Sequence, residues 1–371
     1  MRIAIITQPL RTNYGGILQN YALHVILKRR GHEVVTLQRD HIIKIQYPRF
    51  ILTLLKRFIF KLLKNNKTPL FWEQKYNNDY DVVTQNTLGF VNKNIRIIEL
   101  SDISHQLKED DYDGFIVGSD QVWRSHYNNL NNTFLLFTQG WNIKRVSYAA
   151  SFGLDQPDFS EEQIKKCKSG IHMFDGISVR EKTGVDICKN IFNVDAELVL
   201  DPTLLLEKSD YERLFANRVT PNGDLFVHIL DKTAEKQALI LQICVKKGWK
   251  PYMVDRLVDE HNVWEDINKR VQPPLENWIN GIANSKMVVT DSYHATVFSI
   301  IFNKPFIVIE NSDRGNARFE SLLGMFGLEN RIVSVHDNFL DRFSDRIDYD
   351  TVNKILEVER KKSLNFLYRY F

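Results

Sequence analysis

The residues best placed to do chemistry lie in the run Met287-Val288-Val289-Thr290-Asp291-Ser292-Tyr293-His294-Ala295-Thr296-Val297-Phe298. Its β-branched start reads as a buried strand, its small polar residues as a tight turn, and the apolar residues after His294 as a helix. The first N–H groups of a helix have no intrahelical acceptor, and the dipole there favours negative charge. An imidazole that can gain or lose a proton near neutral pH, set beside such a terminus, suits an anionic substrate. The plainer alternative is a buried αβ unit in which His294 bonds a neighbouring carbonyl.

Further strands that would position a site follow the same pattern. DGFIVGSD, KRVSYAASFG, GISVRE and AELVLDP each close on a polar or glycine-containing loop. Ligands of open α/β sheets gather at the carboxyl ends of the strands, so Gly118, Ser119, Asp120, Ser151 and Arg180 are candidates by position. The chain opens with the strand MRIAIITQ, a glycine turn at Asn13-Tyr14-Gly15-Gly16, a helical stretch from Ile17 to Arg30 ended by Gly31, and the strand GHEVVTLQ. This βαβ start lacks GxGxxG, so no nicotinamide or flavin dinucleotide is indicated. After a polar stretch around 216–224, a second set runs through DLFVHIL, a helix near Ala234–Lys246, PYMVD, LENWINGIANSK, MVVTD with its helix, and PFIVIE. The alternation predicts an α/β protein with largely parallel sheets. The expected boundaries are 1–217 and 222–371, with a helix over Tyr349–Tyr370 returning to the first domain.

At 371 residues the chain exceeds the usual span of one core, so two domains are expected. With 43% hydrophobic and 26% charged residues it reads as an ordinary globular protein, which excludes a disordered one. A net charge of +3 is too small for nucleic-acid binding over the whole surface. Cys167, Cys188 and Cys244 lie far apart without CxxC spacing and read as reduced core thiols of a cytoplasmic protein, with no metal site. The chain begins on a buried strand, so no signal peptide is expected, and no run of about 18 apolar residues spans a membrane.

The segment 47–67 stands apart. Between Asp40 and Glu73 there is no acidic residue, while Lys44, Arg49, Lys56, Arg57, Lys61, Lys64 and Lys67 are basic. On a helical wheel Lys56, Arg57, Lys61 and Lys64 fall opposite Ile51, Leu52, Leu55, Phe58, Ile59, Leu62 and Leu63. Such a helix either lies in an anionic bilayer surface or packs its apolar face on the protein with its lysines solvated.

In this order, DGFIVGSDQVW, VSYAASFG, ISVREKTGVDIC, LVLDPTLLL, VVTDSYHATVFSIIFNKPF and RGNARFESLL resemble the polysaccharide pyruvyl transferase family. NYGGILQNYAL and LKRRGHEV fit it too, and only Tyr47 to about Arg96 matches poorly. The resemblance implies two Rossmann-like domains facing a cleft, similar to GT-B glycosyltransferases, with an acceptor side on the first domain and a donor side on the second. It implies transfer of the enolpyruvyl group of phosphoenolpyruvate onto a sugar as a cyclic pyruvate ketal, releasing phosphate. Phosphoenolpyruvate is then a co-substrate, and no cofactor or metal is needed. Many relatives act on cell-surface polysaccharides, such as capsule or exopolysaccharide, or on lipid-linked precursors. An inner-leaflet acceptor would give the basic segment a purpose and make the protein peripheral at the inner membrane face.

Phosphoenolpyruvate carries a carboxylate and a phosphate, which call for guanidinium forks, lysines or helix N-termini. Ketal formation calls for a proton on the methylene carbon, attack by one sugar hydroxyl, and ring closure by a second as phosphate departs. An acid and a base suit this. Arg180 matches the family arginine that contacts the donor, with a bidentate grip expected; the alternative is an ion pair with Glu181 or Asp201. His294 matches the family histidine, as general acid or phosphate ligand, with the N–H groups of Tyr293 and His294 holding phosphate oxygens. Ser292 stands where many members have an arginine, and Arg314 and Arg318 are the candidates to replace that cation. On the acceptor side stand Asn13, Tyr14, Gly15, Gln121 and Trp123, the last either stacking on a sugar ring or filling the core, with Asp120 as a general base. His24 and His172 sit in helical patterns and read as structural. Two other functions fit the architecture: a GT-B-type glycosyltransferase using a nucleotide sugar, and a catalytically inactive glycan-binding relative. Against the first, the C-terminal region lacks an acidic pair at a helix start to hold sugar hydroxyls.

Overall fold

Runs such as IAII, FIV, MVVT and FIVI are apolar at nearly every position, as parallel strands covered on both faces must be. In the computed structural model, which describes all of residues 1–371 except 46, 48, 65–66, 155, 157, 311–315 and 337–345, they form two sheets. The first contains β1 (Arg2–Ile6), β2 (Glu33–Arg39), β3 (Ile97–Leu100), β4 (Gly114–Val117), β5 (Lys144–Ala150), β6 (Gly176–Val179) and β7 (Glu197–Leu198). Its order is β3-β2-β1-β4-β5-β6-β7. The second contains β8 (Leu225–His228), β9 (Pro251–Tyr252), β10 (Met287–Thr290), β11 (Phe306–Ile309) and β12 (Ile332–Val333), in the order β12-β11-β10-β8-β9. The pairings are parallel throughout.

Each sheet reverses its winding once, between β1 and β4 in the first and between β8 and β10 in the second. Crevices open outside the carboxyl ends of strands at such switch points. The two crevices face each other, while behind them a continuous core joins the domains, with Tyr211 edge-on to Phe298 at 4.8 Å.

The helices correct the sequence reading in two places. The expected turn at 13–16 is the first turn of helix α1 (Tyr14–Arg29), capped by Asn13, whose Oδ1 accepts from Gly16 N at 3.2 Å. The poorly matched region holds the basic helix α2 (Arg49–Lys64) and, unforeseen, a 23-residue helix α3 (Trp72–Asn94). α3 buries Tyr76, Tyr80, Val83, Phe90 and Val91. It also clasps the second domain: Trp72 Nε1 donates to His261 O at 3.0 Å, Asn86 Nδ2 donates to Gln272 O at 2.9 Å, and Gln272 N donates to Val83 O at 2.9 Å. Its asparagines, threonines and charges blur the apolar stripe from which a helix is read.

The helix Tyr349–Tyr368 starts on the second domain, where Tyr349 Oη donates to Lys304 O. It ends on the first: Arg360 Nε donates to Leu204 O at 2.8 Å, and Ser363 Oγ accepts from Leu200 N at 2.9 Å.

Candidate active site

The loops after β1, β4, β8 and β10 line a cavity of about 660 Å³ between the two sheets. Asn13, Tyr14, Gly15, Asp120 and Gln121 form the first domain's wall; His228, Asp291, Ser292, Tyr293, His294 and Arg318 stand on the second domain's side. His294 occupies the first turn of the helix Tyr293–Ile301 and is 7% exposed. Its ring lies so close to α1 that a Cβ on Gly15 would fall 2.0 Å from Nδ1. A glycine inside a helix costs roughly 1 kcal/mol relative to alanine, and here it lets two helix N-termini, one from each domain, flank one imidazole. Both termini favour negative charge at that point.

Beneath His294 lies a cluster of buried charges. Arg180 Nη1 bonds Asp201 Oδ2 at 2.7 Å, Nη2 bonds Asp120 Oδ1 at 2.9 Å, and the guanidinium stands 4.4 Å over the Tyr293 ring. Asp201 Oδ2 is also 3.6 Å from His294 Nε2, within ionic reach but beyond a hydrogen bond. Thr203 supplies two bonds to Asp201 Oδ1, from N at 3.0 Å and Oγ1 at 2.6 Å. Glu181 Oε1 accepts from Phe152 N at 2.9 Å, and its Oε2 is 3.9 Å from Arg180 Nε.

Burial alone would push Asp120 upward, yet Arg180, His294 and Arg318 together hold its carboxyl below the ordinary value. Asp201 is likewise held low against its burial, by His294, Arg180 and Thr203. For Glu181 burial prevails over Arg180 and the carboxyl is raised. Burial also lifts the Tyr293 phenol and lowers Arg318, which faces Arg180 as well. Two ionised carboxylates thus back a histidine in a nearly dry corner.

A buried polar network sets the Asp120 loop. Ser119 N donates to Gln19 Oε1 at 3.0 Å, Thr7 Oγ1 donates to Ser119 O at 3.0 Å, and Gln19 Nε2 donates to Thr7 Oγ1 at 3.0 Å. Gly118, at φ +122°, passes so close to β5 that a Cβ would lie 2.2 Å from Tyr148 O. Asp120 follows at φ +70°, a left-handed conformation that aspartate tolerates better than most residues.

Three expectations change. Arg180 is not on the cavity wall: two carboxylates occupy its fork, so the direct donor grip gives way to the ion-pair alternative. Trp123 is fully buried, stacked on Phe134 with Nε1 donating to Thr133 O at 3.0 Å, so no face is left for a sugar ring. Tyr14 lines the cavity but its hydroxyl donates to Pro273 O at 2.7 Å, tying the domains together. Arg314 lies outside the described residues, whereas Arg318, on the helix Ala317–Phe326, faces the cavity. His24 is buried, its Nε2 2.8 Å from Thr36 Oγ1. Asp201, which the sequence suggests only as an ion-pair partner, stands at the carboxyl end of AELVLDP, the same kind of position that singles out Asp120 and Arg180. The wall formed by Asp255, Arg256, Asp259 and Asn262 left no spacing signal, because it belongs to an irregular loop.

The sequence profile of the polysaccharide pyruvyl transferase family matches residues 13–313, most of the chain. The chain belongs to this family. That match spans every cavity residue named above except Arg318. General stress protein 30 of Bacillus subtilis (strain 168) is 25% identical over 199 residues, 50% of this chain and 55% of that protein, so the chain spans about half the length of this curated relative. Among solved structures, UGT89C1 of Arabidopsis thaliana in complex with UDP-L-rhamnose superposes with a TM-score of 0.52 at 10% identity, covering 98% of this chain and 97% of that one. The same protein with UDP gives 0.50 at 12% identity, covering 99% and 98%. These likenesses show the fold of this pyruvyl transferase family member: two Rossmann-like domains in the GT-B arrangement.

Proposed function

We propose that this protein transfers the enolpyruvyl group of phosphoenolpyruvate onto two hydroxyls of a sugar, in a cell-surface polysaccharide or its lipid-linked precursor, forming a pyruvate ketal and releasing phosphate. One observation carries the reading: His294 sits between two helix N-termini at an inter-domain cavity, where an anionic donor is favoured and a proton can be delivered. The N–H groups of Tyr293 and His294 and the Arg318 guanidinium hold the phosphate, Arg318 supplying the cation that Ser292 lacks. His294 protonates the methylene carbon, which leaves an oxocarbenium-like centre. A first sugar hydroxyl attacks this centre, the carbon that bears the phosphate oxygen, and gives its proton to Asp120. The C–O bond to phosphate then breaks, and the second hydroxyl closes the ring while its proton leaves with the phosphate. Asn13 and Gln121 face the sugar. Arg180 and Asp201 act from behind, fixing Asp120 and His294, in the manner of preorganised electrostatics.

The test is phosphoenolpyruvate binding by calorimetry on wild type, His294→Ala and Arg318→Ala, with a uridine-diphosphate sugar titrated in parallel. Saturable phosphoenolpyruvate binding that weakens at least about tenfold in both variants is expected, each having lost a charge-assisted contact. Binding of the nucleotide sugar alone would replace this reading with glycosyl transfer. Gly15→Ala adds a second check. Displacing the imidazole by about an ångström should cut phosphate release about 100-fold while the protein stays folded.

A further inference from the structure

A helix on a protein surface normally turns its apolar stripe toward the core. α2 does the reverse. Its half-buried side carries Phe50, Thr53, Leu54, Arg57 and Phe60 at intervals of three and four residues. Arg57 pins that side down, its two terminal nitrogens bonding Glu73 at 2.7 Å and 2.6 Å and Nη1 also donating to Leu70 O at 3.0 Å. On the outward side Ile51, Leu52, Leu55, Phe58, Ile59 and Leu63 stand in solvent, Leu52 being 65% and Leu63 77% exposed. Tyr47 and Phe71, which flank α2 in the sequence, are exposed as well. Arg49, Lys56 and Lys61 border this outward side on α2, Lys44 and Lys67 follow just beyond the helix ends, all five are exposed, and no acidic residue interrupts them between Asp40 and Glu73.

We propose that this face docks on an anionic lipid bilayer, with α2 lying in the plane of the interface. The apolar ridge enters the boundary between headgroups and acyl chains, and the basic border meets the phosphates. Charge selects this occupant over a second copy of the chain. Pairing two such faces would bring two basic borders together with no acid on either to offset them. Among the described residues no helix is long and apolar enough to cross a membrane, so the contact is peripheral. The proposal suits a lipid-linked acceptor, yet it stands or falls independently of the donor chemistry.

Flotation of the full chain with vesicles tests it, using phosphatidylglycerol–phosphatidylcholine mixtures against phosphatidylcholine alone. Wild type should float with the anionic vesicles, less as salt is raised, and far less with the neutral ones. The triple variant Leu55→Gln, Phe58→Gln, Ile59→Gln should bind at least about tenfold more weakly, with an unchanged circular dichroism spectrum. Failure of wild type to float with anionic vesicles would overturn the proposal, as would equal flotation of the triple variant. So would a wild-type dimer in sedimentation that the triple variant dissolves without any vesicle binding, which would assign the face to a second copy.

Discussion

Around Arg180 the protein buries charge, and along α2 it exposes hydrocarbon. Both invert the usual partition of side chains, in which charges stay in water and large apolar groups leave it. The inversions differ in how they are balanced. Arg180 has Asp120 and Asp201 in direct contact and Glu181 close by, so each charge removed from water finds an opposite one within the same domain. The exposed residues of α2 have no such cover within the described structure. A departure balanced internally positions a site. One left open describes a surface that something outside the chain completes.

The largest expected effect comes from breaking the balance at the cluster. Arg180→Ala strands Asp120, Glu181 and Asp201 in the interior and should cost about 3–5 kcal/mol of stability, read as a lower urea midpoint. A loss under about 1 kcal/mol would mean that the carboxylates are not held by this guanidinium.

Acid sharpens the contrast next. Burial holds the His24 imidazole down at about 3, so the folded protein keeps it neutral while the unfolded chain protonates below 6.5. Stability is therefore lost as pH falls from 6.5 toward 3, roughly 2 kcal/mol of it by pH 5. Asp120 and Asp201, depressed in the folded state, add a loss that sets in as pH falls through their ordinary value of 3.8. Glu181, raised, works the other way, favouring the folded state as pH falls toward its ordinary 4.5, where that gain is complete. The urea midpoint should fall steadily below pH 6.5; a flat profile down to pH 4 would contradict the buried neutral histidine.

The smallest effect belongs to α2. The triple glutamine variant should shift stability by no more than about 0.5 kcal/mol in urea unfolding, because those side chains are already more than half exposed. A loss of 2 kcal/mol or more would show the ridge packed against the protein after all, and would erase the difference between the two regions.

Much of this was legible in the residues. The strands were visible because parallel strands buried on both faces are written as apolar runs, and His294 was visible because a strand, a polar turn and a helix follow one another within about a dozen residues. α3 was not, since its stripe is broken by polar residues that face the second domain. Trp123 was ambiguous for a different reason: an aromatic after a strand looks the same in sequence whether it lies over a cavity or under a loop.

By itself, then, the sequence determined the two parallel sheets, the placement of Asp120, Ser292 and His294 at their carboxyl ends, and the two-sided character of α2, all of which depend on neighbours a few residues away. Only the tertiary structure decided that Arg180 spends its fork on Asp120 and Asp201, 60 and 21 residues distant. The same holds for Gly15, which makes room for His294 from the other domain, and for α2, which turns its apolar side outward. Those outcomes rest on strand order and domain docking, which bring together side chains that no local period relates.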